Sequence, residues 1–345
     1  MIKPRISVVQ YLNTAPLVWG MLYGAARGKF DLEFTVPARC ADAVKQGRAD
    51  LGIIPSIEYQ RIEGAEIVPG VSIASKGMVK SVVLFSKVPI EEVRSVALDN
   101  SSRTSVALVT ILLRRFYGRE FLSEPADPQP LEMLLERADA ALVIGDPALT
   151  YQLKVEGSSA KSDETGNSKL EIRFENSAPA CPSEPFAALK GKLRGESLFV
   201  SRASTLLVYD LAAEWKKFTG LPFVFALWVG RREAGLAAFA RDLRDSRDEG
   251  LRHLDAIAAE WAPRLGIPES AVKLYLAENI NYALDEDNLK GLRLFYKLAA
   301  EEGLIPAVKE LRFVSQVVEE AVSHQPSGIS QEHKVVRSSK LNADS

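Results

Sequence analysis

Apolar and polar positions alternate with two different periods over the first 60 residues of the chain. Short apolar runs with period two predict strands, and stretches with helical spacing that open on polar residues or proline predict helices between them. The predicted order is strand 6–11, helix 13–26, strand 30–36, helix 40–46 and strand 50–56. This β-α-β-α-β order is typical of a parallel sheet covered by helices.

The same signals return further along the chain and predict a second β-α-β unit between about residues 95 and 146. Its elements, with one strand before them, are strand 79–85, strand 95–98, helix 106–117, helix 131–137 and strand 140–144. After it come helix 209–215, strand 223–229 and three helical stretches at 233–262, 268–277 and 285–302. Two such units in a chain of 345 residues predict an α/β protein with two lobes.

Two segments lack this pattern. Residues 157–168 contain no large apolar side chain, which predicts a mobile surface insertion spanning about 153–197. We expect this insertion to be remote from any ligand site. The tail 323–345 is polar and is predicted to be disordered.

Composition and charge exclude several classes of protein. The chain has 43 Lys and Arg against 45 Asp and Glu, a formal net charge of −2, so no nucleic-acid partner is expected. The two cysteines, Cys40 and Cys181, cannot build a disulfide framework or a four-cysteine metal site. No apolar run reaches the roughly 18 residues of a membrane span. No signal-peptide pattern follows Met1, so we expect a cytoplasmic protein that is mature from Met1.

Motifs of the common cofactor-dependent and nucleophilic enzymes are missing. The sequence has no glycine-rich dinucleotide loop after the first strand, no Walker-type loop, no His-Glu-x-x-His and no Gly-x-Ser-x-Gly. The three histidines, His253, His324 and His333, all lie in the C-terminal third. We therefore predict no cofactor and no metal.

Small polar residues follow four of the predicted strands: Asn13-Thr14, Pro55-Ser56, residues 99–105 and Gly145-Asp146. Ligands of α/β sheets bind beyond the carboxyl ends of the strands, where helix N-termini offer N–H groups and partial positive charge. Each of these segments is also compatible with a simple helix cap or turn. From the residues alone, the sequence predicts a cleft between two lobes that binds a small carboxylate.

Six segments carry more specific motifs. They are VQYLNTAPL at 9–17, DLGIIPSIEY at 50–59, GMVKSV at 77–82, DNSSRTS at 99–105, IGDPA at 144–148, and YDL at 209–211 with TGLPFVFA at 219–226. In this order they resemble the motifs of the chorismate dehydratases of the futalosine route of menaquinone biosynthesis. The chain departs from that pattern in the insertion 153–197, in the tail beyond 322 and at Ala212, where glycine is usual. None of these departures falls on the polar strand ends.

The resemblance implies a periplasmic-binding-protein-like type II fold with a helical C-terminal part. Lobe 1 would contain residues 1–86 and 222–322, and lobe 2 residues 87–221, with crossovers near Ser86 and Leu221. The implied reaction is a cofactor-free dehydration of chorismate to 3-[(1-carboxyvinyl)oxy]benzoate. The sequence carries no signal for an oligomeric state.

The resemblance also implies roles for the polar strand ends. Asn13 and Ser81 are expected nearest to the reacting centre, where neutral side chains position and polarise but are poor general bases. The base that removes the C3 proton is either Asp146 or the substrate's own enolpyruvyl carboxylate. Asp146 could equally serve to hydrogen-bond the backbone at the edge of the cleft instead of acting as the base. Further substrate contacts are expected from Tyr11, Thr14, Pro55, Ser56, Asn100, Ser101, Ser102, Thr104, Ser105 and Gly145.

Three other functions use the same fold. A solute-binding protein of a transporter is disfavoured because the signal-peptide pattern is missing. The sister enzyme of the route, which releases dihydroxynaphthoate, depends on a histidine, whereas the first two-thirds of this chain contain none. A ligand-sensing regulatory domain is disfavoured because no helix-turn-helix segment precedes the first strand.

Overall fold

The computed structural model describes residues 3–157, 168–172 and 204–314, which form eleven strands and ten α-helices around two β-sheets. The strands are β1 (Arg5–Val9), β2 (Asp31–Thr35), β3 (Leu51–Pro55), β4 (Ala65–Ser75), β5 (Val82–Ser86), β6 (Ser95–Asp99), β7 (Leu122–Ala126), β8 (Ala140–Ile144), β9 (Ser168–Ile172), β10 (Ser204–Asp210) and β11 (Phe223–Arg231). The helices are α1 (Ala15–Leu22), α2 (Pro37–Lys45), α3 (Arg103–Ile111), α4 (Leu131–Arg137), α5 (Gly145–Gly157), α6 (Leu211–Thr219), α7 (Ala240–Arg252), α8 (Leu254–Leu265), α9 (Glu269–Leu274) and α10 (Glu286–Glu301).

Both sheets mix parallel and antiparallel pairs. The five-stranded sheet has the order β2-β1-β3-β11-β4, with β1 parallel to β2 and β3, and β11 antiparallel to β3 and β4. The six-stranded sheet has the order β7-β6-β8-β5-β10-β9, with β6 parallel to β7 and β8. The predicted α/β architecture with β-α-β units is therefore present in each sheet.

Helix ends follow the local chemistry of the chain. Asp210 begins α6 because its carboxylate accepts hydrogen bonds from the N–H groups of Ala212 and Ala213, both at 3.0 Å. Gly220 ends the same helix with φ +71°, a conformation that favours glycine. Single-turn π-helices extend α3 over Leu112–Phe116 and α9 over Tyr275–Asn279.

The core lies on the faces of the two sheets. Every residue of β3, β5 and β8 is buried, as expected for central strands covered on both faces. Trp215 of α6 and Trp228 of β11 are fully buried within the larger hydrophobic cluster. A smaller cluster around Val83 and Phe85 covers one face of the six-stranded sheet.

Several element boundaries differ from the prediction. The strand predicted at 79–85 is β5, Val82–Ser86, and β4 and β7 were not predicted. Tyr209 and Asp210 belong to strand β10 and not to a helix. The helix predicted at 233–262 is two helices, α7 and α8, which meet at His253.

The described residues cover only parts of the predicted insertion and of the predicted lobes. Helix α5 continues to Gly157, and Ser168–Ile172 forms β9 beside β10, so parts of 153–197 are regular structure. The rest of the insertion and the tail 323–345 lie outside the described residues. Strand β5, placed in lobe 1 by the predicted division, pairs with β8 and β10 of the six-stranded sheet. The division into lobes itself stays a prediction.

Across the described residues, every helix falls short of the length and apolar character that a bilayer-crossing segment requires.

Candidate active site

A cleft of about 500 Å³, including its mouth, lies where loops that follow strands of both sheets meet. Seven of the predicted site residues line it: Tyr11, Asn13, Pro55, Ser81, Ser102, Ser105 and Gly145. The rest of the lining is apolar and includes Val9, Pro37, Ile73, Val79, Val82, Ile144, Phe225 and Ala226. The cleft thus combines an apolar wall with a few convergent polar groups, which is the usual composition of a small-molecule site.

Asn13 and Ser81, the two residues expected nearest to the reacting centre, share a neighbour that the sequence did not reveal. The hydroxyl of Tyr275 donates a hydrogen bond to Ser81 Oγ at 2.8 Å. Burial raises the pKa of Tyr275. Hydrogen bonding with the side chains of Ser81 and Asn13 lowers this pKa, but by less than burial raises it. Tyr275 therefore stays protonated at neutral pH and faces both residues.

Ser81 is presented by a strained and firmly held segment. Lys80 has φ +58°, a conformation that side-chain-bearing residues rarely adopt. The N–H groups of Val79 and Lys80 donate to Asp210 Oδ2 at 2.9 and 2.6 Å. Because the other oxygen of Asp210 caps α6, this one carboxyl accepts four backbone hydrogen bonds.

Asp210 is nearly inaccessible to solvent, and desolvation raises its pKa to about 6 although the four N–H groups act to lower it. Strain of this kind persists only where the surroundings enforce it, and it concentrates at functional sites. Asp210 therefore fixes the backbone from which Ser81 enters the cleft.

Asp146 connects the two sides of the cleft. Its Oδ1 accepts a hydrogen bond from the N–H of Leu12 at 2.9 Å, which joins the first turn of α5 to the chain after β1. Desolvation raises the pKa of this carboxyl to about 7, and the Leu12 N–H acts to lower it. Asp146 lies outside the cleft lining, so the structure gives it a backbone partner and leaves its role as base a prediction.

The backbone at Gly145 lies directly against the Tyr11 ring in the cleft. Its φ is +68°, and a Cβ added there would lie 2.7 Å from Cζ of the Tyr11 ring. Its N–H donates to the carbonyl of Ser81 at 2.8 Å. Any residue with a Cβ at this position requires the Tyr11 ring to move.

Ser102 and Ser105 mark the N-terminus of α3 in the cleft. Their hydroxyls lie 2.8 Å apart, and Ser102 is the N-cap residue. The first N–H groups of a helix have no intrahelical acceptor and favour an anion. No Lys or Arg is among the lining residues, all of which belong to the described part of the chain. Neutral donors and this helix end are therefore the groups that would meet a carboxylate.

Arg103, between these residues, has its charge engaged elsewhere. Its guanidinium contacts both carboxylate oxygens of Asp42 at 2.9 and 3.1 Å and Glu58 at 3.1 Å. Glu58 also pairs with Arg61 at 2.6 Å. This network ties the start of α3 to α2 and to the turn after β3.

Five predicted contact residues are not among the residues that line this cleft, and their part in substrate binding stays a prediction. Ser56 and Thr104 lie in the interior: Ser56 Oγ donates to the Val224 carbonyl at 2.7 Å, and Thr104 Oγ1 accepts from the Ile57 N–H at 3.1 Å. Their strand-end positions place them in a structural hydrogen-bond network. Thr14 lines a separate cavity beside α1. Asn100 lies on the surface, and Ser101 is buried in the turn before α3.

Solved structures with similar architecture show the fold. Protein AF1704 from Archaeoglobus fulgidus has a TM-score of 0.60 at 17% identity and covers 88% of this chain and 98% of its own. The alkanesulfonate-binding protein from Xanthomonas axonopodis pv. citri, bound to MOPS, has a TM-score of 0.55 at 14% identity over 88% of this chain and 94% of its own. The predicted α/β periplasmic-binding-protein-like fold is confirmed.

Sequence comparison identifies the family. A family model described as menaquinone biosynthesis matches residues 4–158 and 193–301. A chorismate dehydratase from Thermus thermophilus is 30% identical over 298 residues, which is 84% of this chain and 93% of the relative. The family match spans the strand ends that build the cleft, and the family resemblance read from the sequence motifs is confirmed. The chain belongs to the menaquinone biosynthesis family.

Proposed function

We propose that the protein is a hydro-lyase that removes water from chorismate and forms 3-[(1-carboxyvinyl)oxy]benzoate, the first step of the futalosine route to menaquinone. The chorismate dehydratase relative and the menaquinone family match support this substrate and this route. The observation that carries the proposal is that Asn13 and Ser81 line the same cleft as Ser102 and Ser105, whose hydroxyls lie at a helix N-terminus.

The reaction needs little chemical assistance beyond orientation. The proton at C3 and the hydroxyl at C4 leave as one molecule of water, and the new C3–C4 double bond completes an aromatic ring. Aromaticity supplies the driving force, so holding the substrate in a reactive geometry accounts for a large share of the rate. Asn13 and Ser81 are the groups that polarise the departing C4 hydroxyl and stabilise its developing charge.

Substrate binding follows from the charge of chorismate, which carries two carboxylates. The N-terminus of α3, with Ser102 and Ser105, offers hydroxyl and N–H donors for one of them. The apolar wall formed by Val9, Ile73 and Phe225 suits the ring. Neutral donors bind a dianion without forming an ion pair, which favours release of the dianionic product.

Two groups are candidates for the base that takes the C3 proton. Asp146 has a raised pKa but lies outside the cleft lining, and one of its oxygens is engaged by Leu12. The enolpyruvyl carboxylate of chorismate is carried next to C3 by the substrate itself. The position of Asp146 favours the substrate carboxylate as the base and gives Asp146 the task of holding the turn that carries Asn13.

The proposal includes two lobes with the ligand cleft between them, in a cytoplasmic enzyme. Lobe 1 keeps residues 222–322 with the N-terminal part, and lobe 2 ends near residue 221, between α6 and β11. Sheet membership supports a first crossover between β4 and β5, earlier than Ser86. A biosynthetic relative supports the cytoplasm as the place of action.

The test is incubation of the purified protein with chorismate, without added metal or cofactor, followed by chromatography and mass spectrometry. We expect an aromatic product lighter by one water. Thermal stabilisation by chorismate without turnover would instead favour a binding protein of the same fold. No turnover and no stabilisation would refute the assignment to chorismate.

A further inference from the structure

Tyr275 binds Ser81, one of the two residues proposed nearest to the reacting centre, and neither the motifs nor the strand ends indicate it. It lies on the π-helical turn Tyr275–Asn279, and only 2% of its surface is exposed. Its hydroxyl reaches Ser81, which is 194 positions away along the chain. Single π-turns inside helices are frequent at functional sites.

The hydrogen bond from Tyr275 determines where the Ser81 proton points. A serine hydroxyl has one hydrogen to donate. Because Ser81 Oγ accepts the Tyr275 proton at 2.8 Å, its own hydrogen must point away from Tyr275. The protein acceptor for that hydrogen is the Val79 carbonyl at 3.3 Å, a long and weak contact. A substrate oxygen in the cleft would be a better acceptor.

We propose that Tyr275 is a positioning residue that directs the hydroxyl of Ser81 toward the departing C4 hydroxyl of the substrate. This inference rests on the proposed dehydration of chorismate. Tyr275 enters the reaction as a neutral phenol, since burial raises its pKa above the ordinary value. Tyr275 acts through Ser81 and needs no contact with the substrate.

A second buried tyrosine provides a matched control. Tyr282 is 4% exposed and, within the described part of the chain, its hydroxyl has no hydrogen-bond partner. Removing that hydroxyl deletes a buried group that is unsatisfied, so it should not harm folding. Tyr275→Phe and Tyr282→Phe therefore make the same chemical change in similar burial, and only the first removes a hydrogen bond to a residue that lines the cleft.

The experiment measures kcat and KM for chorismate in wild type, Tyr275→Phe, Tyr282→Phe, Ser81→Ala and the double variant Ser81→Ala/Tyr275→Phe. We expect Tyr275→Phe to lower kcat about 10- to 100-fold, as loss of one oriented hydrogen bond at a reacting group would do, with KM changed less than about threefold. Tyr282→Phe should stay within about twofold of wild type. The double variant should match Ser81→Ala, because residues that act as one unit are not additive.

Several outcomes would overturn the inference. Tyr275→Phe with the kcat of Tyr282→Phe would refute it, and so would a double variant well below Ser81→Ala. If Tyr275→Phe does not fold, the kcat of the double variant, which removes both polar partners together, is compared with that of Ser81→Ala. A kcat well below that of Ser81→Ala then refutes the inference, because it means that Tyr275 acts apart from Ser81. Absence of wild-type turnover would refute the proposed function itself, a result distinct from an active wild type whose rate ignores Tyr275.

Discussion

Gly145 is a single residue on which the shape of the cleft depends. Its positive φ strains any residue that has a side chain, and a Cβ there requires the Tyr11 ring to move. We expect Gly145→Ala to lose about 1–2 kcal/mol of unfolding free energy from backbone strain alone, and to lower kcat/KM because Tyr11 must move. Denaturant unfolding and steady-state kinetics measure the two effects.

Gly266 is the control for this change. It has φ +65°, but no atom lies within 4 Å of the Cβ that alanine would add. Gly266→Ala should lose similar stability and keep full turnover. Equal turnover in both variants would contradict the role assigned to Gly145.

The carboxyl of Asp146 makes stability depend on pH. Its pKa rises from the ordinary 3.8 to about 7 on folding, chiefly through desolvation. The folded state therefore binds the proton more tightly than the unfolded state, so this stabilisation is present below about pH 4 and is lost as pH rises through 7. We expect the unfolding free energy of wild type to fall relative to Asp146→Asn between pH 5 and pH 8. A difference between the two proteins that stays constant with pH would contradict the assignment.

At the scale of elements, the segment between β4 and β5 is held by a helix cap. Asp210 begins α6 and at the same time binds the N–H groups of Val79 and Lys80 just before Ser81. The cap of one helix thus positions a residue of the cleft. The same carboxyl links α6 to the strained backbone at Lys80.

Asp210→Asn tests this link. An amide has one acceptor oxygen, so two of the four N–H groups would face its NH₂ group without an acceptor. We expect a loss of about 2–4 kcal/mol in unfolding free energy and a fall in kcat as Ser81 shifts. Asp285→Asn is the control, because Asp285 caps α10 through one N–H and lies outside the cleft lining. Asparagine caps a helix about as well as aspartate, so this variant should lose less than about 1 kcal/mol, from its exposed ion pair with Lys76, and keep its kcat. Equal effects on kcat would refute the link.

At the scale of the whole molecule, periodicity predicted most elements, and it failed where local signals oppose tertiary structure. Strand β4 contains Pro69 and Gly70, a pair that predicts a turn. The strand tolerates them because it lies at the edge of its sheet and pairs with β11 through register shifts. The prediction of a single helix at 233–262 was wrong because the sequence keeps a helical pattern through His253, where the structure breaks the helix in two.

The candidate site was predictable only in part, because some of its residues are far apart in the sequence and meet only in the folded chain. Asn13, Ser81, Ser102 and Gly145 carry motifs or follow strands, so local pattern indicated them. Tyr275 reaches Ser81 from the π-helical turn that extends α9, and the sequence pattern there is that of an ordinary helix. Ser56 and Thr104 carry the same kind of signal as Ser102, and only packing shows that their hydroxyls bond within the interior.

The initial rate of chorismate dehydration in wild type, Ser81→Ala and Asn13→Ala, with Ser246→Ala as control, is the most direct test of the account. Ser246 is as buried as Ser81, and its hydroxyl donates to the Leu17 carbonyl in helix packing outside the cleft lining. The account predicts formation of the carboxyvinyloxy-benzoate by wild type and Ser246→Ala, and at least about a tenfold loss in the two cleft variants. Full activity in folded Ser81→Ala and Asn13→Ala, or no product from wild type, would contradict it.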